Sequence, residues 1–135
     1  MVKLNYGEES GYKVTPGEKL NLCCKLQERL GMGAYDIRWD VEATEEILEN
    51  DTKGAIFYDL TSDNAWDIRI LNTVTDYFEF TDIVLHELVH ALMVDEYRCL
   101  LGIIDTDVYT IYSRFNEVVV DRIVNAFNRL LLGRD

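Results

Sequence analysis

The sequence predicts an α+β fold, built as one small domain over residues 1–135. Three observations carry that expectation. A capped helix comes first. Three short stretches alternating apolar with charged residues come next. Two runs of helical periodicity follow. At 135 residues the chain has the length of an ordinary domain with one core, and no repeat, low-complexity tract or Pro/Gly/Ser linker divides it.

The first element begins at Thr15-Pro16-Gly17-Glu18, a capping box with Thr15 as N-cap, Pro16 at the first helical position and Glu18 at the third. Apolar positions follow at Leu20, Cys23, Cys24, Leu26 and Leu30, and Gly31 and Gly33 end the helix. Ile37, Trp39 and Val41 alternate with Asp36, Arg38 and Asp40, which predicts a strand. Residues 44–50 fit either a short helix or an irregular excursion. Asn50 to Gly54 is turn-rich, Ala55 to Tyr58 reads as a second strand, and Ser62-Asp63-Asn64 reads as a further turn. Trp66, Ile68 and Ile70 alternate with Asp67 and Arg69 in a third strand. Thr75 to Phe80 reads as a staple for the helix that follows. That helix is expected from Phe80 or Thr81 to Leu101, ended by Gly102. A last helix is expected from Thr110 to Leu132, with its stripe at Val120, Ile123, Val124, Phe127 and Leu131. Within it, Val118-Val119-Val120 is β-branched and locally favours a strand.

Composition narrows the function. Hydrophobic residues make up 48% and charged residues 28%, a globular balance, and the net charge of −12 repels phosphates and argues against a nucleic-acid partner. Cys23, Cys24 and Cys99 are odd in number, with two adjacent, so reduced thiols are expected rather than a disulfide framework. No apolar leader stands at residues 1–9 and no run approaches membrane-spanning length. The expectation is a cytoplasmic protein without a membrane partner. The oligomeric state is not legible.

The chemistry is concentrated in His86-Glu87-Leu88-Val89-His90, an H-E-x-x-H segment on a predicted helix that holds both histidines of the chain. Residues four apart lie about 40° apart around a helix and one turn along, so both imidazoles reach one cation. Imidazole suits Zn²⁺. Glu87, offset by about 100°, reaches past the metal toward its water, where it serves as general base. The apolar neighbours Val84, Leu85, Leu88, Val89, Ala91 and Leu92 predict a buried helix, and buried histidines need partners.

A catalytic zinc site needs a third protein ligand, and no histidine remains. The foremost candidate is Glu117, four residues before Asp121 and on the same helix face. A carboxylate at one position would bind zinc while the other accepts the N–H of a ligand imidazole. A solvated acidic edge competes with this reading in so acidic a chain, and Cys99 is a further candidate ligand.

H-E-x-x-H followed by Asn116-Glu117 and Asp121 on a later helix resembles the gluzincins, the thermolysin-like zinc peptidases, and in size resembles minimal gluzincins or the ImmA/IrrE type of peptidase. The likeness covers residues 65–132. It implies a zincin-like domain holding one Zn²⁺ on His86, His90 and Glu117, with Glu87 as base and Asp121 orienting a histidine. The strand from Ala65 to Leu71 would be the edge strand that pairs with an extended peptide or protein substrate. The oxyanion-stabilising histidine of larger relatives has no counterpart, and Tyr109, Tyr112 and Arg114 are the candidates to replace it. Gly102 to Tyr109 loosely resembles an aspzincin segment, which makes Asp105, Asp107 or Asp121 rival third ligands, against a turn-forming role for the first two. The implied activity is peptide-bond hydrolysis through a zinc-bound water. The alternative is a non-catalytic regulatory or interaction module stabilised by zinc.

Overall fold

The computed structural model describes residues 10–45, 48, 52–58, 65–93 and 117–129. Helix α1 runs Pro16–Arg29 and begins as the capping box requires: the Glu18 N–H donates to Thr15 Oγ1, and the Thr15 N–H donates to Glu18 Oε1. Its end is closed by Gly31 at φ +73°, whose N–H donates to the Glu28 carbonyl while that of Met32 donates to Gln27. These are the paired bonds of a Schellman turn, and the left-handed φ is why glycine stands there. Cys23 and Leu26 are buried, whereas Leu20 and Cys24 are exposed, so the inward stripe is narrower than the sequence pattern.

Three strands follow: β1 (Asp36–Ala43), β2 (Gly54–Tyr58) and β3 (Ala65–Leu71). The sheet order is β1-β3-β2. β1 is parallel to β3, from Asp36 opposite Ala65 to Asp40 opposite Arg69, with a register shift before Ala43 meets Leu71. β2 is antiparallel to β3, from Gly54 opposite Ile70 to Tyr58 opposite Trp66. The segment Ala65–Leu71 is therefore the central strand, which corrects the expectation that it forms the sheet edge. Burial gives the reason: Ala65, Trp66, Ile68, Ile70 and Leu71 are all buried, as suits a strand flanked on both sides. Trp66 is stacked on Tyr35 at 4.9 Å. α1 packs on β1, and Gln27 fastens the junction, accepting from Trp39 Nε1 and donating to the Met32 and Tyr35 carbonyls.

One charged side chain lies inside this layer. Lys19 of α1 is 1% exposed; its Nζ donates to the carbonyls of Val41 (3.5 Å) and Asn72 (3.3 Å) and to Glu42 Oε1 (3.5 Å), and stands 5.8 Å from the centre of the Phe80 ring.

Helix α2 spans Tyr77–Leu92. It starts earlier than the apolar pattern predicts because Asp76 caps it. The Met93 N–H is shared between the Val89 and His90 carbonyls in a tightened turn, and the expected continuation to Leu101 lies outside the described residues. Residues 117–129 are helical and form α3, with Val120, Val124 and Asn128 buried one turn apart. The helical stripe thus overrides the β-branched run at 118–120. The fold is α+β, with three helices and a mixed three-stranded sheet among the described residues. The chain divides into two compact units, 1–87 and 88–135, and the division falls within α2. The first carries α1, the sheet and most of α2; the second carries the last residues of α2 together with α3. Among the described residues no helix is long and apolar enough to cross a membrane.

Candidate metal centre

The helix that carries the H-E-x-x-H segment is anchored at its start by one carboxylate. Asp76 Oδ2 accepts from the backbone N–H of Phe78 and Glu79, both at 3.1 Å, and so satisfies two donors of the first turn. Its Oδ1 accepts from the Ser10 N–H (2.9 Å), the Ser10 hydroxyl (3.0 Å) and the Gly11 N–H (3.2 Å). The backbones of Lys13 and Asp76 form an isolated antiparallel β-bridge, in which the Val14 and Tyr77 N–H groups donate to the Thr75 and Tyr12 carbonyls, so residues 10–14 are laid along the entrance to α2. Burial pushes the Asp76 carboxyl up, but the hydrogen bonds from Glu79, Ser10 and Gly11 outweigh it and hold the group below the usual carboxylate range. Lys53 adds an ion pair with Glu79 at 2.8 Å.

Beyond this anchor, every residue from Phe80 to Ala91 is buried. The apolar members explain most of that, but His86 and Glu87 are wholly buried too, and His90 is 7% exposed. Helical spacing places His86 and His90 one turn apart. His90 Nε2 lies 2.9 Å from Glu117 Oε1 at the start of the described part of α3. His86, His90 and Glu117 each offer one ligand atom, and these atoms all lie within 4.8 Å of one another. Atoms about 2.1 Å from a common tetrahedral centre stand roughly 3.4 Å apart, so the cluster is on the scale of one cation. Two imidazoles and one carboxylate form a donor set suited to zinc that leaves a fourth position free.

The other candidates fall out as follows. Asp121 lies one turn beyond Glu117 on α3 and is exposed. Tyr109, Tyr112, Arg114, Asp105, Asp107 and Cys99 lie outside the described residues. Cys23 belongs to the core: burial, then the neighbouring Cys24, pushes its thiol well above the ordinary thiol range, which suits packing and not metal ligation. Sequence reasoning missed Asp76 as more than part of a staple. The available signal was an aspartate immediately before an aromatic first turn, which is an N-cap pattern.

No protein-family model, no curated protein and no solved structure matches the chain.

Proposed function

We propose that this chain is a zinc-dependent peptidase of the gluzincin type. The observation that supports it most is the convergence of His86, His90 and Glu117 within 4.8 Å, with Glu87 buried beside the first ligand on the same helix. His86, His90 and Glu117 would hold the ion. When bound, zinc supplies Lewis acidity, polarising a carbonyl and making water a stronger acid. Glu87 takes a proton from the water that attacks the scissile carbonyl carbon, then delivers a proton to the amine as the C–N bond breaks. The apolar surroundings of Glu87 exclude competing water and strengthen its interactions with developing charge. β2 starts beside Glu87 and lies at one edge of the sheet, so an extended peptide adding to that edge would be held by main-chain hydrogen bonds.

A second reading is favoured by the side-chain pair between α2 and α3, His90 with Glu117. Zinc there would stabilise a regulatory or protein-interaction module without catalysis. One experiment separates the two. Metal content is measured in the purified wild type and Glu87→Gln, and both are incubated with a mixed peptide library. The peptidase reading expects one zinc in each protein and cleavage by the wild type alone. A wild type without zinc defeats both readings, whereas firm zinc without cleavage, and unfolding on chelation, favours the module.

A further inference from the structure

The turn-rich stretch Asn50 to Gly54 gives its glycine an obvious conformational explanation, and the structure removes it. Gly54 is the first residue of β2, paired with Ile70, and among the described glycines only Gly11 and Gly31 have positive φ. Its value lies in space. A Cβ built on Gly54 would come within 2.5 Å of Ile83 Cγ2, 3.6 Å of Glu87 Oε1 and 3.7 Å of Glu87 Cγ. Ile83 and Glu87 are four residues apart on α2 and share one face. The Ile83 contact has little room to give: Ile83 is wholly buried, and a β-branched methyl in a helix has essentially one rotamer. The backbone of β2 therefore lies on the same turn of α2 that carries the carboxylate, and both stem and head of Glu87 rest within reach of it.

We propose that Gly54 is a positioning residue for Glu87: its missing side chain lets β2 seat directly on the 83/87 face, and that contact fixes where the Glu87 carboxylate stands. This rests on the peptidase reading for its functional meaning, but the geometric claim stands independently of it. Gly54 touches no metal ligand in this account, so its substitution acts on the base and leaves the ion in place.

The test asks whether the clash at Ile83 carries Glu87 with it. Ile83→Leu moves the branch from Cβ to Cγ, removing the obstructing methyl at nearly constant volume. Four full-length proteins are compared: wild type, Gly54→Ala, Ile83→Leu and the double variant. Gly54→Ala alone is expected to lower the melting temperature, and the double variant to recover to that of Ile83→Leu. If Gly54 positions the base, Gly54→Ala keeps one zinc and an unchanged KM while kcat falls about tenfold or more relative to wild type, since the added Cβ displaces the turn that carries Ile83 and Glu87 and roughly 1 Å of misplacement is worth up to about a hundredfold. The double variant, whose Cβ meets Glu87 only at ordinary contact distance, recovers the kcat of Ile83→Leu. A Gly54→Ala kcat equal to that of wild type overturns the proposal. A second readout needs neither metal nor turnover. The ¹³C carboxyl resonance of Glu87 in the metal-free protein, assigned by its loss in Glu87→Gln, should move in Gly54→Ala and return in the double variant to its position in Ile83→Leu. An unmoved resonance overturns the positioning role. A wild type that cleaves nothing, with the resonance moved, defeats the peptidase reading and leaves the placement of Glu87 by Gly54 standing.

Discussion

α1 and α2 both bury ionisable side chains, and the contrast between them sets a charge with a structural explanation against groups for which we propose chemistry. α1 is a surface helix with one inward stripe, and its buried charge, Lys19, spans from the helix to the carbonyls of Val41 and Asn72 and to Glu42. Every element of that arrangement ties one backbone segment to another. α2 is buried on all sides from Phe80 to Ala91, and places two imidazoles and a carboxylate among apolar residues. Charge in such a setting is costly, and a protein selected only for stability would replace it.

That contrast can be broken by comparing what each side chain costs to remove. The largest expected effect is at Glu87. Glu87→Met should reduce peptide hydrolysis by about 10²–10⁴-fold, the usual contribution of general acid–base catalysis. The same change should alter the stability of the metal-free chain by less than about 1.5 kcal/mol, read from urea unfolding, because an apolar side chain of similar length fills the buried position. A loss as large as that expected of Lys19→Met would place Glu87 with Lys19 among the structural charges.

Asp76 comes next. Asp76→Ala should cost roughly 3 kcal/mol, combining a lost N-cap with lost charge-assisted hydrogen bonds, and should leave zinc content unchanged. Its pH dependence has a definite direction. The folded state holds this carboxyl below its ordinary value of about 3.9, so its stabilisation is complete above that pH and is lost as pH falls through the lower folded value. Asp76→Asn, which still caps, should flatten the acid side of the stability curve below about pH 4, and a curve unchanged from wild type would deny Asp76 that role.

Lys19→Met should then destabilise by about 2 kcal/mol, because the Val41 and Asn72 carbonyls lose a buried donor. The smallest effect is expected at Thr15→Ala, about 1 kcal/mol, since the capping box is local and partly replaced by water.

The same two helices show what a sequence discloses. α1 was legible to within a residue at both ends because its signals are local: Thr15 and Glu18 cap each other, and Gly31 takes a φ that other residues avoid. The adjacency of His86 and His90 was legible because it depends only on helical spacing, and the structure also brings Glu117, the foremost carboxylate candidate, to within 4.8 Å of them. Strand order was not. β2 and β3 carry similar local patterns, and which lies in the middle depends on pairing between distant segments, so Ala65–Leu71 was expected at the edge and stands in the centre. Lys19 reads as an ordinary polar helix position until the carbonyls of Val41 and Asn72 are brought to it. Gly54 reads as a turn residue until Ile83 is packed against it. In each case the missing information was the identity of a distant neighbour.

The clasp between Ser10 and Asp76 has a bearing on how the chain is made. The two residues are 66 apart in sequence, so during synthesis the first described residues wait for their partner. At about 5–20 residues per second that wait is roughly 3–13 s. α1 can close its own capping box as soon as it emerges, but the segment leading into it cannot be fastened until the start of α2 has been translated. Among the described residues before α1, 10–14 thus keep their backbone donors exposed through that wait, and there a chaperone or a protease would find the growing molecule open.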